Sequence, residues 1–135
     1  MAKMRLTVLE GSFSIHRLNP QEPIPPGLLE CPFFTVSRTP EELSIVAPEY
    51  ADIQSERVES DWRCIKLIGP LHFGLVGVLA DMTTALATVG ISIFAVSTYD
   101  TDYVFIKNAD VDEALRTLED NGYRIEPGSG LKTPD

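Results

Sequence analysis

The residues best suited to binding chemistry lie in two segments of the second half of the chain. The first segment, Gly69-Pro70-Leu71-His72-Phe73-Gly74, leads from a predicted strand into a predicted helix. Backbone N–H groups at a helix start lack intrahelical partners and carry positive dipole character, so those of Gly74, Leu75 and Val76 are candidates to hold a carboxylate. The alternative is an ordinary strand-to-helix loop with solvated amides. Neither GxGxxG nor GxxxxGK[ST] occurs here, so the segment is not a phosphate loop.

The second segment is a predicted turn that follows Ser97 and Thr98. Asp100 and Asp102 lie on it, so two carboxylates and several hydroxyls are available to hold an ammonium or guanidinium group. The alternative is a polar hairpin turn in which the aspartates bond to the backbone. The strands that bear the two segments should belong to one sheet, and we therefore expect the segments to lie close together.

Other chemistry is disfavoured. His16 and His72 are the only two histidines, they stand far apart, and neither has a neighbouring cysteine or an HxH pattern, so we expect no metal and no cofactor. His72 is a candidate ligand contact by its position, whereas His16 is expected on the exposed face of its strand. No nucleophile-elbow motif marks any serine or cysteine, so no catalytic residue and no enzymatic activity are expected. Cys31 and Cys64 are interpreted as two buried thiols.

The net charge of −9 and the spread of its cations also exclude classes of partner. No Lys/Arg cluster supplies the cationic footprint of a nucleic-acid binder. No run approaches the ~20 apolar residues that span a bilayer, and the N-terminus lacks the apolar core of a signal peptide. We therefore expect a cytoplasmic protein that binds neither nucleic acid nor membrane.

The elements that must position the two segments begin with a strand at 62–68. A helix should follow, because apolar residues recur at helical spacing up to the stop at Gly90. They are Leu75, Val78, Leu79, Met82, Leu86 and Val89. The run 91–96 is almost continuously apolar, which predicts a central strand buried on much of both faces.

The rest of the second half predicts a strand, a helix and a strand. A tight turn at Tyr99-Asp100 joins the strand at 101–107 to the one before it. Asp110 with Glu113 forms a capping-box-like helix start, Asn121-Gly122 closes the helix, and a short strand follows at 123–125. The order β-α-β-β-α-β is the split βαβ, or ferredoxin-like, motif.

The first half predicts strands and no long helix, because seven of the ten prolines precede Asp61. Strands at 4–9 and 13–18 predict an opening hairpin, and strands at 33–38 and 43–47 predict a second one. Only a helical turn fits near residues 27–29. Because residues 48–61 are polar, we place the domain boundary near Asp61.

Residues 64–125 resemble the ACT domain, in the type found at the regulatory end of aspartate kinases and in CASTOR-type arginine sensors. The resemblance is carried by Ile65 to Gly69 leading to Gly74-Leu75-Val76, then by Val89 to Ile93, and then by Val96 to Val104. It implies a pocket at a domain interface, framed by the start of the first helix and the strand around Ile91. The candidate ligand-binding residues are His72, Phe73, Gly74, Leu75, Val76, Ile91, Ser97, Thr98, Asp100 and Asp102.

The first half resembles the shorter, degenerate N-terminal domain that accompanies such a domain in small bacterial proteins. Phe33 to Thr39 and Glu42 to Val46 carry this resemblance, while the long first helix of a full ACT unit is missing. The expected fold is therefore α+β, with two ferredoxin-like βαββαβ ACT domains in tandem. Residues 1–61 would form the degenerate domain, residues 62–128 the ACT domain, and residues 129–135 a flexible tail.

The resemblance implies a non-enzymatic regulatory sensor that binds a free amino acid. The net charge of −9 favours a cationic ligand, so arginine and lysine are the first choices. Unpaired sheet edges predict a homodimer. The alternative is a ligand-free ACT-type module for dimerisation or protein interaction, in which the degenerate first half has lost the pocket.

Overall fold

The computed structural model describes residues 4–68 and 77–127, and in these ranges it contains eight strands and two α-helices. The strands are β1 (Arg5–Val8), β2 (Phe13–Leu18), β3 (Thr35–Arg38), β4 (Leu43–Pro48), β5 (Arg57–Leu67), β6 (Ile93–Ser97), β7 (Asp102–Lys107) and β8 (Arg124–Glu126). The helices are α1 (Val78–Thr88) and α2 (Val111–Asp120), and single 3-10 turns occur at Leu28–Glu30 and Asn108–Asp110. The predicted α+β class is confirmed.

The chain divides into two compact units. Residues 11–62 form the first, called here the strand unit. Residues 4–10, 63–68 and 77–127 form the second, called here the helical unit. Strand β5 supplies its residues up to 62 to the strand unit and the rest to the helical unit.

The sheet of the helical unit has the strand order β8-β1-β5-β7-β6. From β5 onward the elements follow the predicted β-α-β-β-α-β order, and the ferredoxin-like fold is confirmed. Its core is formed by one face of the sheet and by α1 and α2. The fully buried members of this core are Leu6, Ile65, Leu67, Met82, Leu86, Val104, Ile106, Ala114 and Leu118.

Strand β1 departs from the prediction. It was expected to form a hairpin with β2, but it pairs in parallel with β8 and antiparallel with β5, so the predicted opening hairpin is wrong. The pairing places β1 inside the sheet, where Leu6 packs into the core with residues of α1 and α2, and the hydroxyl of Thr7 on the other face donates to the carbonyl of Pro127 at 3.3 Å. Leu6 is fully buried on one face, and Thr7 is 2% exposed on the other. Residues 4–10 therefore belong with the second half, although the predicted boundary near Asp61 grouped them with the first.

Strand β6 also departs from the prediction. Among the described residues it pairs only with β7, so it lies at the edge of the sheet and not at its centre. Two contacts, and not a central position in the sheet, account for the apolar residues of β6. Ile93 packs against the core, and Phe94 stacks on Phe105 with ring centroids 4.6 Å apart. The central position is taken by β7, whose Val104, Phe105 and Ile106 are fully buried.

Both helices end where the sequence predicts. Gly90 and Gly122 have φ values of 75° and 95°, a left-handed conformation that glycine adopts without steric cost. The predicted stripe of α1 is correct at Met82 and Leu86, but Val89 lies beyond the last turn and is 40% exposed. Asp110 is the N-cap residue of α2, as predicted, but its side chain makes no capping hydrogen bond.

The strand unit is a sheet of order β3-β4-β2-β5, and no α-helix occurs in residues 11–62, all of which are described. The predicted β3–β4 hairpin is confirmed. Strand β5 begins at Arg57, earlier than the predicted 62, because residues 57–62 pair with β2. The buried residues of this unit's own core are Leu18, Leu28, Leu43, Ile45 and Ala47.

Three predictions of burial concern His16, Cys31 and Cys64, and the structure corrects the first two. His16 was expected to be exposed but is 8% exposed, because β2 lies between β4 and β5 and places it beside Ile45 and Val58. Its Nδ1 lies 2.6 Å from Ser55 Oγ. Cys64 is buried as predicted, while Cys31 is half-buried, and both are free thiols.

Candidate functional site

The candidate site is built around the turn between β6 and β7. Ser97 and Asp102 are the last cross-strand pair of this hairpin. The backbone N–H of Thr98 donates to the carbonyl of Thr101 at 2.8 Å, and the hydroxyl of Thr98 donates to the same oxygen at 3.1 Å. The turn is therefore held by its own backbone and by Thr98, as the short polar sequence predicts.

The two acidic residues of the turn differ in how they are used. The hydroxyl of Ser97 donates to Asp102 Oδ1 at 2.5 Å, so one carboxylate oxygen of Asp102 already has a partner. Asp100 is exposed, and its carboxylate makes no hydrogen bond or ion pair with the described part of the chain. A carboxylate can accept several hydrogen bonds, so Asp100 has the larger remaining capacity for a cationic group.

Thr101 anchors this turn and was not identified from the sequence. It is 5% exposed, and its hydroxyl donates to the backbone carbonyl of Leu67 at 2.7 Å. Leu67 is the last residue of β5, and the predicted carboxylate-binding segment begins two residues later. The acidic turn therefore lies directly beside the end of β5. The only sequence signal was a threonine next to the predicted turn, which by itself does not distinguish a buried contact from a solvated one.

Tyr103 follows the turn on β7 and is half-buried. Burial raises the pKa of its phenol above the ordinary value, and the nearby Cys64 and Asp100 raise it further. The phenol is therefore neutral at physiological pH and retains a proton to donate. Its side chain could not be assigned to the face near Asp100 from the sequence, because alternation along β7 leaves its face undetermined until the register is known.

The ten predicted site residues fall into three groups. Ser97, Thr98, Asp100 and Asp102 come together in one turn. Ile91 lies in the core of the helical unit, 6% exposed, and does not belong to this turn. The remaining five, which are His72, Phe73, Gly74, Leu75 and Val76, lie outside the described residues.

The described ranges 4–68 and 77–127 contain no group of three or more His, Cys, Asp or Glu side chains arranged to hold a metal ion. None of their helices is long and apolar enough to cross a membrane.

Comparison with known proteins identifies the family of the second half of the chain. Residues 57–120 match the model of the ACT domain. This segment belongs to the ACT domain family. Residues 11–52 match a separate model, which describes the N-terminal domain of a family of related proteins. The resemblance to ACT domains predicted from the sequence is thereby confirmed.

Three similar proteins illustrate the relationship. The crystal structure of protein Atu0741 from Agrobacterium tumefaciens is 31% identical, with a TM-score of 0.87 and full coverage of both chains. The human protein CASTOR3P is 25% identical over 101 residues, which span 65% of this chain and 62% of that protein's length. The regulatory subunit of aspartate kinase from Thermus flavus shares the fold at 15% identity, with a TM-score of 0.61 and coverage of 89% and 98%.

These likenesses define the type of domain. ACT domains are generally regulatory modules that bind small molecules. The ACT domains of aspartate kinases, whose fold this chain shares, are regulatory and non-catalytic.

Proposed function

We propose that this protein is a regulatory sensor that binds a free amino acid at its ACT domain and has no catalytic activity of its own. The observation that carries the proposal is the acidic turn of an ACT domain hydrogen-bonded to the end of β5 through Thr101 and Leu67. A zwitterionic ligand needs acceptors and donors on opposite sides of its pocket. The turn supplies acceptors, and the chain that continues from β5 supplies candidate donors.

In the proposed arrangement the cationic group of the ligand lies near Asp100 and Asp102. Its carboxylate would bind the backbone N–H groups of residues 74–76, with His72 and Phe73 in the same segment. Asp100 should contribute most, because its carboxylate is exposed and has no partner among the described residues. Ser97 and Thr98 would act by holding the turn, since both hydroxyls already donate within it.

The net charge of −9 makes arginine and lysine the preferred ligands, because it steers cations toward the protein. The cytoplasm, where free amino acids regulate metabolism, is the proposed location. We also propose that residues 11–62 are a degenerate ACT-like domain in tandem with the ACT domain. Their separate family match and their lack of an α-helix support this reading.

A thermal-shift screen of the twenty free amino acids tests the proposal. A ligand at 100 times its dissociation constant should stabilise the protein by roughly 2.7 kcal/mol. Asp100→Asn should then weaken binding by about 1.5–3 kcal/mol, because it removes the charge from a hydrogen bond to a cation. Asp112→Asn, at an exposed position on α2, is the matched control and should bind as the wild type does.

Two results would count against this placement. If no amino acid stabilises the protein, the proposed sensor function is refuted. Stabilisation that survives both Asp100→Asn and Asp102→Asn unchanged would keep the sensor but move its site elsewhere.

The alternative function is a ligand-free module that dimerises through its sheet edges. It is favoured by β6, which among the described residues has a strand partner on one side only. Light scattering across a range of concentrations tests it. A dimer that forms without any amino acid, together with a negative ligand screen, supports the alternative, whereas a monomer excludes it.

A further inference from the structure

The strand unit contains an open groove of about 760 Å³ that is separate from the acidic turn. Its walls are the end of β2 with the following loop, and the segment that leads into β5. Its polar and charged lining residues include Arg17, Glu22, Gln54, Ser55, Glu56 and Arg57. Pockets for small metabolites typically measure ~300–1,000 Å³, so the groove is large enough for one.

Two arginines lie side by side in this groove. Arg17 on β2 and Arg57 on β5 are directly paired in the antiparallel register, which puts both side chains on the same face of the sheet. Cross-strand neighbours have Cβ atoms about 4.5–5.5 Å apart, and side chains of like charge that lie directly opposite each other are destabilising. The chain has 11 Lys/Arg residues against 20 Asp/Glu, yet two of those few cations are adjacent here. An anion between them would relieve the repulsion.

The three arginines in and near the groove differ in the hydrogen bonds that their side chains make. Arg17 donates to the carbonyl of Glu41 at 2.9 Å, and Arg38 donates to the carbonyls of Pro20 and Glu22. Those two guanidinium groups hold loops in place. Arg57, in contrast, makes no side-chain hydrogen bond or ion pair with the described residues. Its guanidinium is therefore available as a two-pronged donor, the geometry that matches a carboxylate or a phosphate.

The rest of the lining restricts what kind of anion fits. Glu22 and Glu56 line the same groove, so a ligand with more than one anionic group would be repelled. Ser55 is fixed in position by its 2.6 Å contact with His16. The side-chain amide nitrogen of Gln54 donates to Asp52, and its side-chain oxygen accepts no hydrogen bond from the described residues. These groups accept hydrogen bonds from hydroxyl groups of a ligand.

We propose that this groove is a second ligand site, which takes a small metabolite with one oxyanion group and a body rich in hydroxyl groups. Arg57, assisted by Arg17, binds the oxyanion, and Glu22, Glu56 and Gln54 accept hydrogen bonds from the hydroxyl groups. The site is independent of the proposed amino-acid site, because its residues all belong to the strand unit and those of the acidic turn belong to the helical unit.

An amide NMR titration of the full chain tests the proposal with two probes. Gluconate offers a carboxylate, and glycerol 3-phosphate offers a phosphate, each on a hydroxylated body. At least one probe should produce saturable shifts confined to residues 17–22 and 54–57. The probe that binds more tightly identifies the oxyanion.

Arg57→Gln should weaken that binding about 10- to 100-fold, the usual effect of removing a charge-assisted hydrogen bond. Arg116→Gln, an exposed arginine on α2, removes the same charge elsewhere and should leave binding unchanged. The proposal is overturned if neither probe gives saturable shifts at these amides. It is also overturned if Arg57→Gln binds as tightly as the wild type, or if Arg116→Gln weakens binding equally.

Discussion

Replacement of Thr101 by valine probes the contact that places the acidic turn beside β5. Valine has nearly the shape of threonine but cannot donate a hydrogen bond. Thr101 is 5% exposed and Leu67 is fully buried, so the carbonyl of Leu67 would lose its 2.7 Å partner with little access to water. The variant should therefore be less stable than the wild type, although its core volume is unchanged.

The size of the effect follows from the burial of the pair. A buried acceptor left without a donor costs about 1–3 kcal/mol. The unfolding entropy of globular proteins is about 2.1 cal/mol/K per residue. For 135 residues, each kcal/mol therefore shifts the melting temperature by about 3.5 °C. We expect Thr101→Val to melt about 4–10 °C below the wild type.

Far-ultraviolet circular dichroism is the suitable assay, because its helical signal arises from α1 and α2 of the same unit. Thr101→Ser is the matched control. It keeps the hydroxyl and loses one methyl group, which costs about 0.8 kcal/mol. A valine variant that melts as high as the serine variant would refute the role assigned to this hydrogen bond.

Two further predictions concern single side chains. Tyr123 is 4% exposed, and its hydroxyl donates to Asp81 Oδ2 at 2.5 Å. Tyr123→Phe should therefore lower the free energy of unfolding, measured in urea, by about 1.5–3 kcal/mol. An unchanged urea midpoint would show that this hydrogen bond does not stabilise the fold. Burial lowers the pKa of His16 below 6.5, so the unfolded chain takes up the proton first. The free energy of unfolding of the wild type relative to His16→Gln should therefore be constant above about pH 6.5. It should decrease as the pH falls from there through the folded pKa, by about 1.4 kcal/mol for each pH unit by which folding lowers that pKa. A difference that stays flat down to pH 4 would contradict this, since both states of an unperturbed histidine (pKa about 6.5) would titrate together.

Local signals in the sequence predicted both helices and the turn between β6 and β7 correctly. The periodicity that contains Met82 and Leu86 describes one helix face, and Gly90 and Gly122 end their helices for a steric reason that needs no distant partner. The turn at residues 98–101 was predicted from the same kind of information. Its acidic and hydroxyl residues are neighbours in the chain, and so the structure had to bring them together.

Long-range pairing was not predictable in the same way. A short apolar strand such as β1 has the same alternation whichever strand it joins, and only the burial of both Leu6 and Thr7 distinguishes its actual place. The apolar run of β6 resembles a central strand because aromatic stacking and two-sided burial select the same residue types. The Thr101–Leu67 contact joins residues 34 positions apart, so no local pattern could reveal it.

The position of β1 affects how the protein is made. Protein synthesis proceeds from the N-terminus, and domains generally fold as they emerge. All residues of the strand unit leave the ribosome before α1 is made. Strand β1 leaves before the strand unit, yet one of its two partners is β8, at residues 124–126, which is synthesised after both helices. The edge of β1 that later pairs with β8 therefore stays unpaired until β8 is made. During that time Leu6 and Val8 are exposed to other nascent chains. Changes that slow synthesis between residues 62 and 120 should lower the soluble yield more than the same delay placed after residue 127.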